Sequence, residues 1–142
     1  MKKTILSLML ITSSIFAMEG KTMTAYKSPS CGCCSDWIDI MKTKGFKIDV
    51  IETNEVNNIK QKAGLQAGQT SCHTAFVDGY VIEGHVDYSA IKKMLVEKPN
   101  ILGITVPGMP IGSPGMEQGN TKQAYNILYV NKDGSTGVYE SH

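Results

Sequence analysis

The sequence predicts an α/β fold with elements in the order βαβα-ββα, followed by a loop and an added β-hairpin. Three observations support it: two alternating β-type runs each precede a segment with helical spacing, an Asp-Gly pair separates two further β-rich runs, and a third helical segment follows. With 142 residues, the chain has room for one domain with a modest core.

The first half of the chain carries two strand–helix units. Trp37, Ile38 and Met41 recur at helical spacing before Gly45, a common helix-ending residue, and Trp37 is expected in the core. Asn54 is a candidate cap for a weaker second helix. The predicted elements are a strand at 22–28, a helix at 34–45, a strand at 46–52 and a helix at 54–64.

The second half begins with a predicted hairpin at 74–86, which turns at Asp78-Gly79. Asp87 or Ser89 can cap a third helix, which ends before Pro99. This order matches a thioredoxin-like fold. The remaining predicted elements are a Gly/Pro/Met-rich loop at 99–120 and a second hairpin formed by 124–130 and 136–140. A loop of this length in a small domain is expected to serve a site.

The first 17 residues read as a secretory signal peptide. Lys2 and Lys3 precede an uncharged run that is too short to span a membrane, and Ala17 offers a cleavage point. A buried first helix or an uncleaved anchor is the competing interpretation. We therefore expect a signal peptide at 1–17 and a thioredoxin-like domain at 18–142 that is exported to a compartment where disulfides persist.

The charge composition indicates no nucleic-acid partner. The 14 basic residues nearly balance the 13 acidic residues, and every basic residue is a lysine. The chain therefore has neither a basic stripe nor the guanidinium groups that contact phosphate in pairs. No stable membrane insertion is expected once the signal peptide is removed.

Three cysteines crowd the start of the first predicted helix. Cys31 and Cys34 have the C-x-x-C spacing of a redox dithiol, while Cys33 offers a competing exchange partner. A helix N-terminus favours thiolate over thiol, which makes such sulfurs reactive towards disulfides or metals. The three interpretations that remain are a redox pair, a metal site and, with the fourth cysteine, two structural bridges.

The fourth cysteine, Cys72, directly precedes His73 and the third predicted strand. In thioredoxin-like folds this position lies against the C-x-x-C turn, so Cys72 is expected to reach the other three sulfurs. The alternative is a buried cysteine or the partner in one bridge.

A group of four thiols with two adjacent members suits Cu(I) better than zinc. Cys33 and Cys34 cannot easily direct both sulfurs to one tetrahedral ion, whereas adjacent thiolates can bridge neighbouring ions. Cu(I) is soft and selects thiolate and thioether ligands. The third cysteine of the motif would then act as a bridging ligand.

Further candidate ligands are two methionines and two histidines. Met109 and Met116 lie in the Gly/Pro-rich loop, and the sequence allows each to act as a thioether ligand or only as a packing residue. For His73, a role at the metal and a structural role are equally favoured. For His85, a hydrogen bond that stabilises the turn is favoured over metal binding. The terminal His142 is expected to be solvated.

Three segments, "YKSPSCGCCSDW", "SCHTAFVDGYVIEGHV" and "GITVPGMPIGSPGME", together resemble the CopG-like family of exported, thioredoxin-fold copper resistance proteins. The resemblance implies a multinuclear Cu(I) cluster on Cys31, Cys33, Cys34 and Cys72, with Met109 and Met116 in the family's methionine loop. It also implies copper ions as partners and a periplasmic role in copper homeostasis alongside other copper-resistance proteins. One departure is Asp87, where the family usually has proline.

The resulting hypothesis is that the chain is an exported protein that holds Cu(I) on cysteine thiolates. The hypothesis also includes interconversion of Cu(I) and Cu(II) by this protein. The alternative is an enzyme, a thiol-disulfide oxidoreductase that uses Cys31 and Cys34. Whether the protein is an enzyme is left open, because holding copper and changing its oxidation state require the same ligands.

Overall fold

The computed structural model describes residues 19–142, so the predicted signal peptide at 1–17 lies outside the described residues. Within that part of the chain, seven strands form one sheet and three helices pack around it. The α/β class and the βαβα-ββα order of the first seven elements are confirmed. In chain order the elements are β1 (Thr22–Lys27), α1 (Gly32–Thr43), β2 (Lys47–Glu52), α2 (Val56–Lys62), β3 (Thr74–Val77), β4 (Tyr80–Glu83), α3 (Tyr88–Glu97), β5 (Gly103–Thr105), β6 (Asn126–Val130) and β7 (Thr136–Ser141).

The sheet has the strand order β2-β1-β3-β4-β5-β6-β7. Strand β1 runs parallel to β2 and antiparallel to β3, and Tyr26 near the end of β1 pairs with Thr74 at the start of β3. The chain that leaves β1 and the chain that enters β3 therefore meet at the same end of the sheet. This topology brings residues 31–34 towards residue 72.

Helices α1 and α3 cover one face of the sheet, while the chain after α2 covers the other. Adjacent residues of β4 separate the two faces, since Ile82 packs in the larger cluster and Val81 in the smaller one with Leu65. Trp37 is fully buried in the larger cluster, as predicted, and its indole Nε1 donates to the carbonyl of Val86 at 2.8 Å. None of the helices within residues 19–142 is long and apolar enough to cross a membrane.

The prediction of a continuous loop over 99–120 is wrong at one point, because Gly103–Thr105 forms β5. This strand pairs in parallel with β4 and antiparallel with β6, and Ile104 is buried. Three residues are too few to show a strand periodicity, so neighbours from distant parts of the chain decide the conformation.

The helix caps show one agreement and one difference. Asp87 caps α3, as predicted, with its carboxylate accepting from the amide of Ala90 at 2.8 Å. The predicted cap of α2 is shifted by one residue, since Glu55 and not Asn54 occupies that position. The amide of Glu55 donates to the hydroxyl of Thr53 at 3.0 Å, just before the helix begins.

Candidate metal centre

Three of the four cysteines lie at the N-terminus of α1, which begins two residues earlier than predicted. Cys31 is the residue before the helix, and Cys33 and Cys34 lie in its first turn. Cys31 and Cys34 form a disulfide with their Cα atoms 5.4 Å apart, and Cys33 Sγ lies 3.7 Å from Cys31 Sγ.

Cys72 joins this group from the other side of the site, two residues before β3. The four Sγ atoms all lie within 4.8 Å of one another. Two sulfurs on one metal ion lie at most roughly 4.6 Å apart, because each metal–thiolate bond is about 2.3 Å long. The structure thus places the four cysteines predicted as ligands at separations close to those that shared metal ions require.

Gly84 allows the segment before β3 to pack tightly against the β4 end. Its φ is +74°, and a Cβ built there would lie 2.5 Å from the Cβ of Ser71 and 2.7 Å from the carbonyl oxygen of Val106. The amide of Gly84 also donates to the carbonyl of His73 at 3.0 Å. A residue with a side chain would push Ser71, and with it Cys72, away from its place.

A buried ion pair, which the sequence did not predict, anchors the same segment. Lys60 on α2 and Glu83 on β4 are 4% and 0% exposed, and Lys60 Nζ lies 2.6 Å from Glu83 Oε1. The same oxygen accepts from the amide of Ser71 at 2.6 Å, and Thr74 Oγ1 lies 2.6 Å from Glu83 Oε2. The one sequence feature that pointed to this ion pair is the position of Lys60, one helical turn after Val56 and thus on the buried face of α2.

Both histidines predicted as candidates contact Cys72. Its Sγ lies 3.3 Å from His73 Nδ1 and 3.0 Å from His85 Nε2. The other ring nitrogen of His85, Nδ1, lies 2.8 Å from the carbonyl oxygen of Pro114, to which it must donate. His85 therefore makes a structural hydrogen bond, but to the 99–120 loop and not within its own turn, and its second nitrogen faces the cysteine.

Burial sets the protonation of this group. Burial is the main reason why the pKa of His73 is lowered to about 3, with smaller contributions from His85 and Lys60, and burial also lowers the pKa of His85. Burial is likewise the main reason why the pKa of Cys72 is raised from 9.0 to about 11, with a smaller contribution from the nearby Cys33. At neutral pH both imidazoles are neutral and Cys72 is a thiol, so a metal ion that binds this sulfur must displace a proton.

The Gly/Pro/Met-rich loop contacts both sides of the cysteine group. The amide of Gly108 donates to the carbonyl of Thr70 at 3.1 Å. Gly115 lies against α1, where a Cβ would be 2.9 Å from the carbonyl oxygen of Cys33. Its φ of +84° and this close approach both require glycine. The loop therefore lies over the site, as its length predicts.

The two methionines of the loop differ in exposure. Met109 follows the Gly108 contact and is 51% exposed, whereas Met116 is half-buried next to Gly115. Neither belongs to the buried core clusters of the described residues. Both thioethers are thus placed on the loop that covers the cysteines, and their role as ligands stays a prediction.

The last histidine lies in a separate polar group. His142 Nε2 is 3.1 Å from an oxygen of Asp87 and 3.5 Å from an oxygen of Glu140, and its ring stacks on Tyr125. It is exposed, as predicted, but these contacts hold its ring against the end of the sheet.

Chemically, the cysteine group supports two kinds of reaction. Four soft sulfurs in one place favour a thiolate-preferring metal. A disulfide beside two free thiols, Cys33 and Cys72, also favours thiol–disulfide exchange.

Comparison with known proteins shows which family the chain belongs to. No curated protein matches the sequence, but the family model described as "Protein of unknown function, DUF411" matches residues 69–116, which include Cys72, both site histidines and both loop methionines. Two solved structures, named Copper resistance protein copG forms 2 and 1, are each 35% identical, with TM-scores of 0.83 and 0.82. Each match covers 87% of this chain and 99% or 98% of the solved chain. The chain therefore belongs to the CopG-like family.

Proposed function

We propose that this protein is a copper-binding protein that holds Cu(I) on a multinuclear thiolate cluster formed by Cys31, Cys33, Cys34 and Cys72. The observation that carries the proposal is the convergence of the Cys72 sulfur with the three sulfurs of α1, all within 4.8 Å. The family relationship to copper resistance proteins selects copper among the soft metals.

The adjacency of two cysteines supports several copper ions over one. Cys33 and Cys34 are neighbours on the first turn of α1, and adjacent thiolates suit bridging of neighbouring ions better than binding to a single tetrahedral ion. Sulfurs that bridge two ions explain why the motif carries a third cysteine. Met109 or Met116 would add a thioether from the covering loop.

The proposed fold assignment is thioredoxin-like. The order βαβα-ββα, a C-x-x-C at the N-terminus of the first helix and a fourth cysteine just before β3 support it. The strand β5 and the β6–β7 hairpin extend the sheet beyond that core.

The proposed setting is the periplasm, reached through the signal peptide at 1–17 and supporting copper resistance. In an oxidising compartment the Cys31–Cys34 disulfide forms readily, and it must be reduced before both sulfurs can bind Cu(I). Copper capture then requires an external dithiol, which gives two electrons to the disulfide and is itself oxidised to a disulfide, and copper binding releases the proton of Cys72. Interconversion of Cu(I) and Cu(II) is the proposed extension of this role.

An anaerobic Cu(I) titration of the reduced protein, with X-ray absorption of the product, tests the cluster. We expect saturation above one copper per chain, sulfur ligation and a short copper–copper vector. Cys72→Ser should lower the stoichiometry, whereas the exposed His142→Gln should leave it unchanged. Saturation at one copper or fewer in the wild-type protein contradicts the cluster.

The disulfide itself favours a second candidate function, a thiol-disulfide oxidoreductase that uses Cys31 and Cys34. The test is insulin reduction by dithiothreitol with the Cys33→Ser/Cys72→Ser variant, which retains only the redox pair. Substantial turnover by this variant supports the enzyme, and turnover no faster than dithiothreitol alone leaves copper binding as the function.

A further inference from the structure

One group of metal-ligating side chains contains no cysteine and lies where the end of β7 meets the start of α3. It consists of Asp87, Glu140 and His142, whose ligand atoms all lie within 4.8 Å of one another. His142 Nε2 is 3.1 Å from Asp87 Oδ2 and 3.5 Å from Glu140 Oε2. Two donors bound at about 2.1 Å to one tetrahedral ion lie roughly 3.4 Å apart. These two contacts therefore already have the spacing of ligands to a single ion.

The contacts among the three side chains leave negative charge poorly compensated. Two carboxylate oxygens converge on one imidazole nitrogen, and that nitrogen carries at most one proton. A single proton cannot make a well-aligned hydrogen bond to both oxygens, and the two carboxylates repel each other across it. A metal ion on Nε2, in place of the proton, would contact both oxygens at once.

Each carboxylate is held in place through its other oxygen. Asp87 Oδ1 accepts from the amide of Ala90 at 2.8 Å and from the hydroxyl of Ser89 at 2.6 Å, which leaves Oδ2 for the imidazole. Lys93 Nζ lies 3.4 Å from Glu140 Oε1, so the second oxygen, Oε2, is the one near the ring. Carboxylates that bind metals are typically oriented by such additional hydrogen bonds.

The imidazole is also fixed, and it adjoins open space. Its ring stacks on Tyr125 with an interplanar angle of 9°. The amide of His142 donates to the carbonyl of Tyr125 at 2.9 Å, and the amide of Tyr125 donates to the carbonyl of His142 at 3.0 Å. A cleft of about 420 Å³ borders both residues and is further lined by Lys122 and Gln123. The cleft has room for water molecules that complete the coordination of an ion.

We propose that Asp87, Glu140 and His142 bind one Zn(II) ion, with water from the cleft as the remaining ligand. Three nitrogen and oxygen ligands from the protein, with water in the fourth position, are a common arrangement for Zn(II). The ion would join the end of β7 to the start of α3 and so stabilise the folded chain. Binding displaces any proton on His142 Nε2 and involves no electron transfer. The site is independent of copper binding by the cysteines, because Cu(I) selects sulfur ligands.

The Cys33→Ser/Cys72→Ser protein with the Cys31–Cys34 disulfide formed is suited to the test, because it has no free thiol that competes for Zn(II). Titration with Zn(II) is followed by calorimetry and by NMR of the histidine rings. We expect one Zn(II) per chain and a shift of the His142 ring signals. The midpoint of thermal unfolding should rise with the Zn(II) concentration, since the ion binds only the folded chain.

Two variants in this background separate metal binding from a structural role. Asp87→Asn keeps a side-chain oxygen for the amide of Ala90, and thus the helix cap, but loses the carboxylate. His142→Gln removes the imidazole nitrogen. Each should weaken Zn(II) binding at least roughly tenfold, while circular dichroism of the zinc-free proteins stays that of the parent. Asp39→Asn is the matched control, because it removes a carboxylate from an exposed surface pair, and it should titrate like the parent.

Three results would overturn this proposal. They are the lack of Zn(II) uptake, zinc binding that leaves the His142 ring signals in place, and unchanged titration of both Asp87→Asn and His142→Gln. If the Cys33→Ser/Cys72→Ser protein does not fold, the His142 ring signals of the oxidised wild-type protein give the same readout. The Cu(I) stoichiometry of the reduced wild-type protein is a separate measurement on sulfur ligands, so either site can fail without the other.

Discussion

The two halves of the cysteine site are held in place by different kinds of interaction. The helix half, Cys31 to Cys34, is fixed locally by the backbone of the first turn of α1. The loop half, Ser71 to His73, contains no helix or strand and is fixed by distant residues on α2, on β4 and in the 99–120 loop. Disturbing those distant residues should therefore move Cys72 and leave the helix half intact.

The largest effect is expected when the buried ion pair is broken. Lys60→Met leaves the carboxylate of Glu83 buried beside the amide of Ser71 without its cation. We expect the free energy of unfolding to fall by about 3–5 kcal/mol, measured by urea denaturation of the reduced, metal-free protein. The Cys31–Cys34 disulfide should still form, because Lys60 does not contact the helix half.

Lys93→Met is the matched control for that variant, since it removes the exposed Lys93–Glu140 pair. Its effect should stay within about 1 kcal/mol, as for other surface pairs. Equal losses in the two lysine variants, or loss of the disulfide in Lys60→Met, would contradict the proposed division of the site.

The next largest effect is expected from Gly84→Ala. The new Cβ would collide with Ser71 and with the carbonyl of Val106, in addition to the strain of a positive φ, so we expect a loss of about 3 kcal/mol by the same measurement. Gly79→Ala has a similar φ of +82° but meets nothing within 4 Å, and so isolates the backbone strain. If the two variants unfold at the same urea concentration, tight packing at Ser71 is not what positions Cys72.

A smaller loss of stability is expected when the pH is lowered, because His73 is buried in its neutral form. Because the folded protein lowers the pKa of this histidine from 6.5 to about 3, its contribution to stability is complete above pH 6.5 and is lost as the pH falls towards 3. Between pH 7 and 4.5 the wild-type protein should lose about 2.5 kcal/mol more than His73→Gln. Parallel curves of stability against pH for the wild type and His73→Gln would refute the assignment of this loss to His73.

The same contrast explains what the sequence could and could not predict. The helix half follows from spacing alone, because three cysteines between a strand and an apolar helical stripe must lie on one turn. The position of Cys72 followed only from the fold expected for the whole chain. The Lys60–Glu83 pair and the convergence of His85 on Cys72 depend on contacts 23 and 13 residues apart in sequence, which local patterns do not encode. Strand β5 was missed for the same reason.

The smallest predicted effect is on the reactivity of the two free thiols. In the oxidised protein only Cys33 and Cys72, among the described cysteines, can be alkylated. Because burial raises the pKa of Cys72 to about 11, its thiolate fraction at pH 8 is roughly 100-fold below that of an ordinary thiol, partly offset by greater nucleophilicity. We expect iodoacetamide to modify Cys72 about tenfold more slowly than free glutathione, as measured by mass spectrometry, with the rate still rising above pH 9.

Lys60→Met and Gly84→Ala, which loosen the loop half, should each accelerate the modification of Cys72 without changing the rate at Cys33. A rate at Cys72 that levels off near pH 9 would show that the loop half does not bury its sulfur as the structure places it.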